Sequence, residues 1–508
     1  NNILRDAACD QAGNLYIAGV LYDTLDLDPG PGVTQVYAEG FADGFVSKYD
    51  PNGNYLWSFK IGNAADTHGT GIYSCFDFVS SISINQNNEL LVAGAFRGTV
   101  DFDPGPGVVS ATSITAGNAY FAKYTSSGNL AFAKPFDLLE GAFTANADKQ
   151  LALTTDANNN IYLAGKFRNT IDLDPGPAVQ TFTSSSHYAF FFAKYDNNGN
   201  YVFAKQLQGT NIYTNAYNAI NSIQADLQGR IYISGNMGST FDFNPGTATY
   251  NLGITKEWQT NLFIASYDSA GNFRFAKECG ETGTGTNYGQ HRVNDMMIDG
   301  LSNIYMVGTY DMGGAGFFGK TLLTWGTSGG WTGYDSFFTI TDSSGNPLLV
   351  KGYQVHGLYD YLSNVSIDNN SKPLITGVID NYIELNLTGT IKQILNSPKW
   401  SSVIKCKYTT LETNFTLNQG LYAIGNGGTY SFGNIAPGGS SGYKTFTITN
   451  TGDLNLYLQG NPKISIAGPN ASEFTISQGP TAATIEGSAP TTCQINYQPT
   501  ADGIRTAT

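Results

Sequence analysis

Short apolar runs that close on a glycine recur along the chain: Leu15-Tyr16-Ile17-Ala18-Gly19, Leu90-Leu91-Val92-Ala93-Gly94, Ile161-Tyr162-Leu163-Ala164-Gly165, Ile231-Tyr232-Ile233-Ser234-Gly235, Ile304-Tyr305-Met306-Val307-Gly308 and Leu374-Ile375-Thr376-Gly377. The closing glycines stand 75, 71, 70, 73 and 69 residues apart. That period is too long for a solenoid coil and long enough for a small sheet. No stretch sustains an apolar residue at every third or fourth position, so long helices are not expected. In the first unit, residues 3–8 and 14–19 are strand-like runs about the turn Asp10-Gln11-Ala12-Gly13. Phe45-Val46-Ser47-Lys48-Tyr49 and Tyr55-Leu56-Trp57-Ser58-Phe59 flank a second turn, Asp50-Pro51-Asn52-Gly53. Asp caps such turns and Gly supplies positive φ, so the pattern predicts two hairpins and four strands per unit.

Third strands such as Phe190-Phe191-Phe192-Ala193-Lys194-Tyr195 are apolar on both faces, which a sheet covered on both sides requires. Four-stranded sheets in series satisfy that by radial stacking. The expected fold is all-β: a β-propeller over 1–418 with six visible blades, a seventh having room upstream of Asn1, then a β-sandwich over 419–508. The sandwich expectation rests on alternation of Tyr443, Thr445 and Thr447 against Phe446 and Ile448.

The long connection after the second strand carries an acidic motif. Leu25-Asp26-Leu27-Asp28-Pro29-Gly30-Pro31-Gly32 returns as Val100-Asp101-Phe102-Asp103-Pro104-Gly105-Pro106-Gly107 and Ile171-Asp172-Leu173-Asp174-Pro175-Gly176-Pro177, and in worn form as Phe241-Asp242-Phe243-Asn244-Pro245-Gly246. Because strands alternate direction, the short hairpins share one face and the long connections the other, where the motifs are expected to form a ring. Alternate spacing can aim both carboxylates one way, an oxygen set suited to calcium; the competing reading is that they accept amides of their own turn. Calcium candidates are therefore Asp26, Asp28, Asp101, Asp103, Asp172, Asp174 and Asp242.

The units resemble the bacterial SBBP-type β-propeller repeat, whose copies run D-x-x-G-N-x-Y-V-T-G, then D-A-F-V-x-K-Y-D-x-x-G, then W. Asp10 to Gly19, Asp43 to Gly53 and Trp57 carry the match. Unit five departs, with Thr339-Ile340-Thr341 in place of the Lys-Tyr pair and a Gly-rich insertion at 313–333; unit six loses its second glycine turn. Phe432-Gly433-Asn434-Ile435-Ala436-Pro437-Gly438, Glu473-Phe474-Thr475-Ile476 and Gln494-Ile495-Asn496-Tyr497 resemble the choice-of-anchor D or Hydin-like immunoglobulin-type module. This resemblance implies a bacterial product, secreted or on the cell surface, with the module as a spacer toward an anchor.

A formal charge of −14 argues against nucleic acid or an anionic membrane surface as partner, and no apolar run is long enough to span a bilayer. Cys9, Cys75, Cys279, Cys406 and Cys493 form no Cys-x-x-Cys pair, which favours buried free thiols over a zinc site or disulfide scaffold. Gly438-Gly439-Ser440-Ser441-Gly442 matches a nucleophile elbow but lacks the following helix. His68, His187, His291 and His356 fall in different units, with His68 and His291 in long connections. Trp258, Trp325 and Trp331 lie in loops of units four and five and are candidates to stack on sugar rings or anchor a protein. The expected function is a non-catalytic adhesion scaffold that takes a surface glycan, a protein, or further copies of itself. Two alternatives are a polysaccharide hydrolase or lyase using residues special to unit five, and a structural subunit of an extracellular filament.

Overall fold

The computed structural model describes the chain outside residues 1, 64–76, 114–116, 137–150, 211–217, 255–258, 282–290, 311–314, 318–319, 323–334, 354–360, 368–372, 379–382, 386–391, 395–405, 408–414, 421, 425–427, 452–455, 459–461, 481, 483, 486–489 and 508. Contacts divide it into two compact units: Asn1–Asn346 with Val350–Leu385 and Lys392–Cys406, and Pro347–Leu349 with Asn386–Ile391 and Lys407–Thr508.

The first unit is a β-propeller. Blade one is an antiparallel sheet of Ile3–Cys9, Leu15–Leu21, Asp43–Tyr49 and Tyr55–Ile61, ordered as in the chain. Blade two repeats it with Phe78–Ile84, Leu90–Phe96, Asn118–Tyr124 and Leu130–Phe136. Blade three uses Leu151–Thr155, Ile161–Asp172, Thr181–Tyr195 and Tyr201–Leu207. Blade four uses Ala219–Ala225, Ile231–Met237, Asn261–Tyr267 and Phe273–Glu281. Arg292–Ile298, Ile304–Tyr310, Asp335–Thr341 and Pro347–Tyr353 make blade five. A sixth sheet shows three strands among the described residues: Tyr361–Ile367, Pro373–Val378 and Cys406–Lys407.

Burial explains the apolar third strands. Every residue of Asp43–Tyr49, Asn118–Tyr124, Asn261–Tyr267 and Asp335–Thr341 is buried; neighbouring blades cover the strands on their flanks, and on the side of blade one away from blade two Phe45 is covered by that blade's own long connection through Leu27. The inner strands lie against one another in succession from blade one to the sixth sheet. A bulge near the start of most inner strands, as at Val79/Ser81 and Ile220/Ser222, turns one residue toward the following blade. Ser80 Oγ thus donates to Leu151 O at 2.8 Å, and Nδ2 of Asn221 and Asn294 donates to Val293 O and Leu362 O, each at 2.6 Å. The predicted hairpins close by the expected means. Asp10 Oδ1 accepts the amides of Ala12 and Asn14 at 3.0 and 2.9 Å, and Gly13 sits at φ +81°. Burial pulls the Asp10 pKa up, but the bonds from Asn14 and the charge of Lys48 outweigh it and leave it below the ordinary carboxylate value.

The second unit holds a five-stranded antiparallel sheet in the order Tyr422–Ile424, Phe415–Gln419, Lys444–Asn450, Pro490–Tyr497 and Phe474–Gln478, with a two-stranded ladder of Leu456–Tyr457 and Thr484–Ile485. Phe446 and Ile448 face inward while Thr445 and Thr447 do not, which is the alternation expected from the sequence. Phe415–Gln419 straddles the expected boundary at 418/419, and it pairs with Lys444–Asn450. Residues 409–414, which precede it, contain no glycine to close a tight hairpin after Tyr408.

Candidate functional site

The acidic connection folds into a small flap. In blade one Leu25–Asp26 pairs with Gln35–Val36, and in blade two Thr99–Asp101 pairs with Ser110–Thr112. Each first aspartate accepts two amides across the turn: Asp26 Oδ1 takes Asp28 N at 3.1 Å and Thr34 N at 2.9 Å, and Asp101, Asp172 and Asp242 repeat this at 2.8–3.1 Å. Oδ1 of Asp28, Asp103 and Asp174 each takes the amide two residues on at 2.8 Å. Asn244 does the same at 2.9 Å, which is why the motif survives loss of that charge. One oxygen of every motif carboxylate is thus spent on its own turn. Among the described residues no group of three or more His, Cys, Asp or Glu is placed to hold a metal ion. Calcium wants six to eight oxygens, and two half-engaged carboxylates per flap are a poor fit to that demand.

The intervening residue of each motif points the other way. Leu27, Phe102, Leu173 and Phe243 are buried, and their carbonyls accept from Tyr49, Tyr124, Tyr195 and Tyr267 hydroxyls at 2.9–3.0 Å. These tyrosines end the third strands. Flaps therefore do not stand as a ring on the long-loop face; each lies along its blade's flank, because burying its central apolar residue outweighs leaving it in water. Phe102 packs on Tyr120 with centroids 4.9 Å apart. The Tyr124, Tyr195 and Tyr267 rings in turn meet Phe59, Phe121 and Phe192 of the preceding blade at 4.6, 4.5 and 4.3 Å. Flap, tyrosine and preceding blade form one seam, and burial drives the hydroxyl pKa of Tyr124 and Tyr195 far above its ordinary value.

Cations cross the seams near the short hairpins. Lys48 Nζ donates to Ser126 O of the next blade and Lys123 Nζ to Asn197 O, both at 2.9 Å. Blade four has Ser266 at this position, and Arg274 of its outer strand takes over, bonding Ser266 Oγ at 2.7 Å and Ser343 O at 3.2 Å. Outer-strand aromatics Trp57, Phe132, Phe203 and Phe275 lie over hairpin glycines Gly128, Gly199, Gly271 and Gly345 of the following blade. Sequence inspection found the Lys-Tyr pair and the glycines but assigned them no role across blades; their shared period was the available signal.

His291 immediately precedes the inner strand of blade five, where siblings carry Asn2, Asp77 and Asn218. Those residues accept backbone amides from the end of their second strand: Tyr22 N at 3.0 Å, Arg97 N at 2.7 Å and Gly238 N at 2.8 Å. His291 is fully buried, neither ring nitrogen has a hydrogen-bond partner, and burial pushes its pKa down to about 4. His68, His356, Trp258, Trp325 and Trp331 lie outside the described residues, and so does the His187 side chain.

Ser440 and Ser441 bond Asn496 Oδ1 at 2.8 and 3.2 Å, and Ser441 N donates to Tyr497 O, so the Gly-x-Ser-x-Gly turn is stitched to a strand. Cys279 and Cys493 are buried free thiols as expected, but Cys9 is exposed on the inner strand of blade one; Cys75 and the Cys406 side chain lie outside the described residues. No helix among the described residues is long and apolar enough to cross a membrane.

No family model matches the chain. It is 27% identical over 262 residues to an uncharacterized WD repeat-containing protein of Acanthamoeba polyphaga mimivirus. That match covers 45% of this chain and spans only 17% of that protein's length. Among solved structures, a polysaccharide lyase aligns over 97% of this chain and 89% of its own at 8% identity and a TM-score of 0.34. A protein of unknown function from Bacteroides caccae aligns over 66% and 93% at 6% identity and a TM-score of 0.22. TM-scores this low do not establish a common arrangement. The class this fold defines is a repeat β-propeller.

Proposed function

We propose that the chain is a non-catalytic binding scaffold of a secreted or cell-surface protein, with the propeller as a rigid platform and the second unit as a spacer. One observation carries this reading. The recurrent polar residues, namely the motif aspartates, the third-strand tyrosines and the Lys48 row, are spent on their own turns and on neighbouring blades. What varies from blade to blade in sequence is the connection from each fourth strand to the next first strand, which stacked blades of alternating strands would carry on one face. A surface glycan or a protein is the partner such a face suits, and similarity to a repeat protein is in keeping with that. The test is retention of the purified chain on immobilised surface polysaccharides and proteins, with the supernatant assayed for cleaved products. Retention without product supports the scaffold; release of product would replace it with a hydrolase or lyase.

A further inference from the structure

Each later blade has a flank that receives the blade before it, and five occupied seams define what that flank carries. In blade two, Val79, Ile82, Leu90 and Val92 join Tyr16, Ala18, Val46 and Phe59 of blade one in a single buried cluster. The same register is closed elsewhere: Ile220, Val293 and Leu362 match Val79 and are 1%, 0% and 1% exposed, while Ile161, Ile231 and Ile304 match Leu90 and are all 0% exposed.

Blade one has the same flank uncovered. Leu4 and Leu15 hold those two positions and are 58% and 37% exposed. Its flap cluster of Leu21, Leu27 and Phe45 draws only on residues of blade one, whereas the matching residues of blade two belong to a cluster shared with blade one. Tyr49 grips Leu27 O as its siblings grip theirs, yet among the described residues the one ring it meets is Tyr55 of its own blade, at 6.2 Å. Gly53, at φ +84°, has nothing within 4 Å, while Gly128, Gly199, Gly271 and Gly345 each lie under an aromatic ring.

We propose that this flank is a docking surface for one further blade of the same repeat, seated as blade one sits on blade two. The occupant is argued from continuity with the five formed seams: the receiving features are present in the same register, and among the described residues no donor is seated on them. The donor sets an outer-strand aromatic on Gly53, a third-strand lysine at the Pro51 carbonyl, a phenylalanine ring on Tyr49 and a tyrosine-alanine face over Leu4 and Leu15. Exposed apolar area in one contiguous strip is what such a seam buries.

The test extends the full chain ahead of Asn1 with a second copy of residues 1–76, the unit that natively donates to blade two. With Cys9→Ser in every copy, a Leu15→Cys thiol is expected to react with a maleimide at least about tenfold more slowly in the extended chain than in the parent. Leu4→Asp is expected to leave the parent's melting temperature within about a degree, as a surface change does, and to restore fast labelling in the extended chain. Equal labelling rates in parent and extended chain would overturn the proposal. So would a Leu4→Asp parent that melts as early as Ile220→Asp, since the chain would then already cover this flank itself. Labelling of the parent that slows with protein concentration, alongside dimers in sedimentation, would overturn it in favour of a second copy.

Discussion

His291 makes blade five sensitive to acid. In the folded protein its ring is fully buried without a hydrogen-bond partner, and desolvation pushes its pKa down from 6.5 to about 4. The unfolded chain leaves the ring in water, where it takes a proton near 6.5. Between those two values the unfolded state binds more protons, so stability falls as pH drops from about 6.5 toward 4 and this contribution levels off below that. At 1.36 kcal/mol per pH unit the gap is worth about 3 kcal/mol, against a total of roughly 5–15 kcal/mol for an ordinary domain. The comparison is the parent against His291→Asn, the residue type that blade four carries at Asn218. Urea unfolding of both at pH 7, 6, 5 and 4, read as the difference at each pH, cancels the carboxylates common to the two. The expected difference is near its pH 7 value at pH 7 and shifts by about 1.4 kcal/mol per pH unit in favour of the variant between 6 and 4. Parallel pH profiles for the two proteins would refute the reasoning.

Three further outcomes follow from the seams and flaps. Gly199 sits at φ +75° with the Phe132 ring 2.9 Å from where a Cβ would stand, so Gly199→Ala is expected to cost about 2–3 kcal/mol by chemical denaturation, whereas Gly53→Ala, with open space around it, should cost only about 1 kcal/mol. Tyr195→Phe leaves the buried Leu173 carbonyl without its donor and is expected to lower stability by about 1–2 kcal/mol with the fold intact by circular dichroism; a neutral result would remove the tyrosine from the seam. Chelator is expected to leave the melting temperature unchanged, and Asp28→Ala, Asp103→Ala and Asp174→Ala combined to lower it equally with and without calcium; a chelator-sensitive melt would restore calcium to the flaps.

Much of the architecture was legible in one dimension, because its determinants are local. Asp-x-x-Gly turns set hairpins through their own side chains and a positive φ, and strands apolar on both faces admit only a sheet covered twice. Repetition of those signals every 69 to 75 residues then specified a propeller. Alternation about Phe446 and Ile448 likewise announced a strand with one wet face. Contacts across blades were not legible, since Lys48 and Ser126, Tyr124 and Phe59, or Phe132 and Gly199 are partners separated by about a repeat and chosen by register in space. Arg274 standing in for a lysine at Ser266 shows the limit plainly: the charge moved to another strand, and only the packed sheets reveal that it does the same work. The aspartates were ambiguous for the same reason. Their spacing suits either a cation or their own amides, and the tertiary fold decided where they lie by burying Leu27, Phe102, Leu173 and Phe243 in the seams, which turned the carboxylates outward and left each holding its own turn.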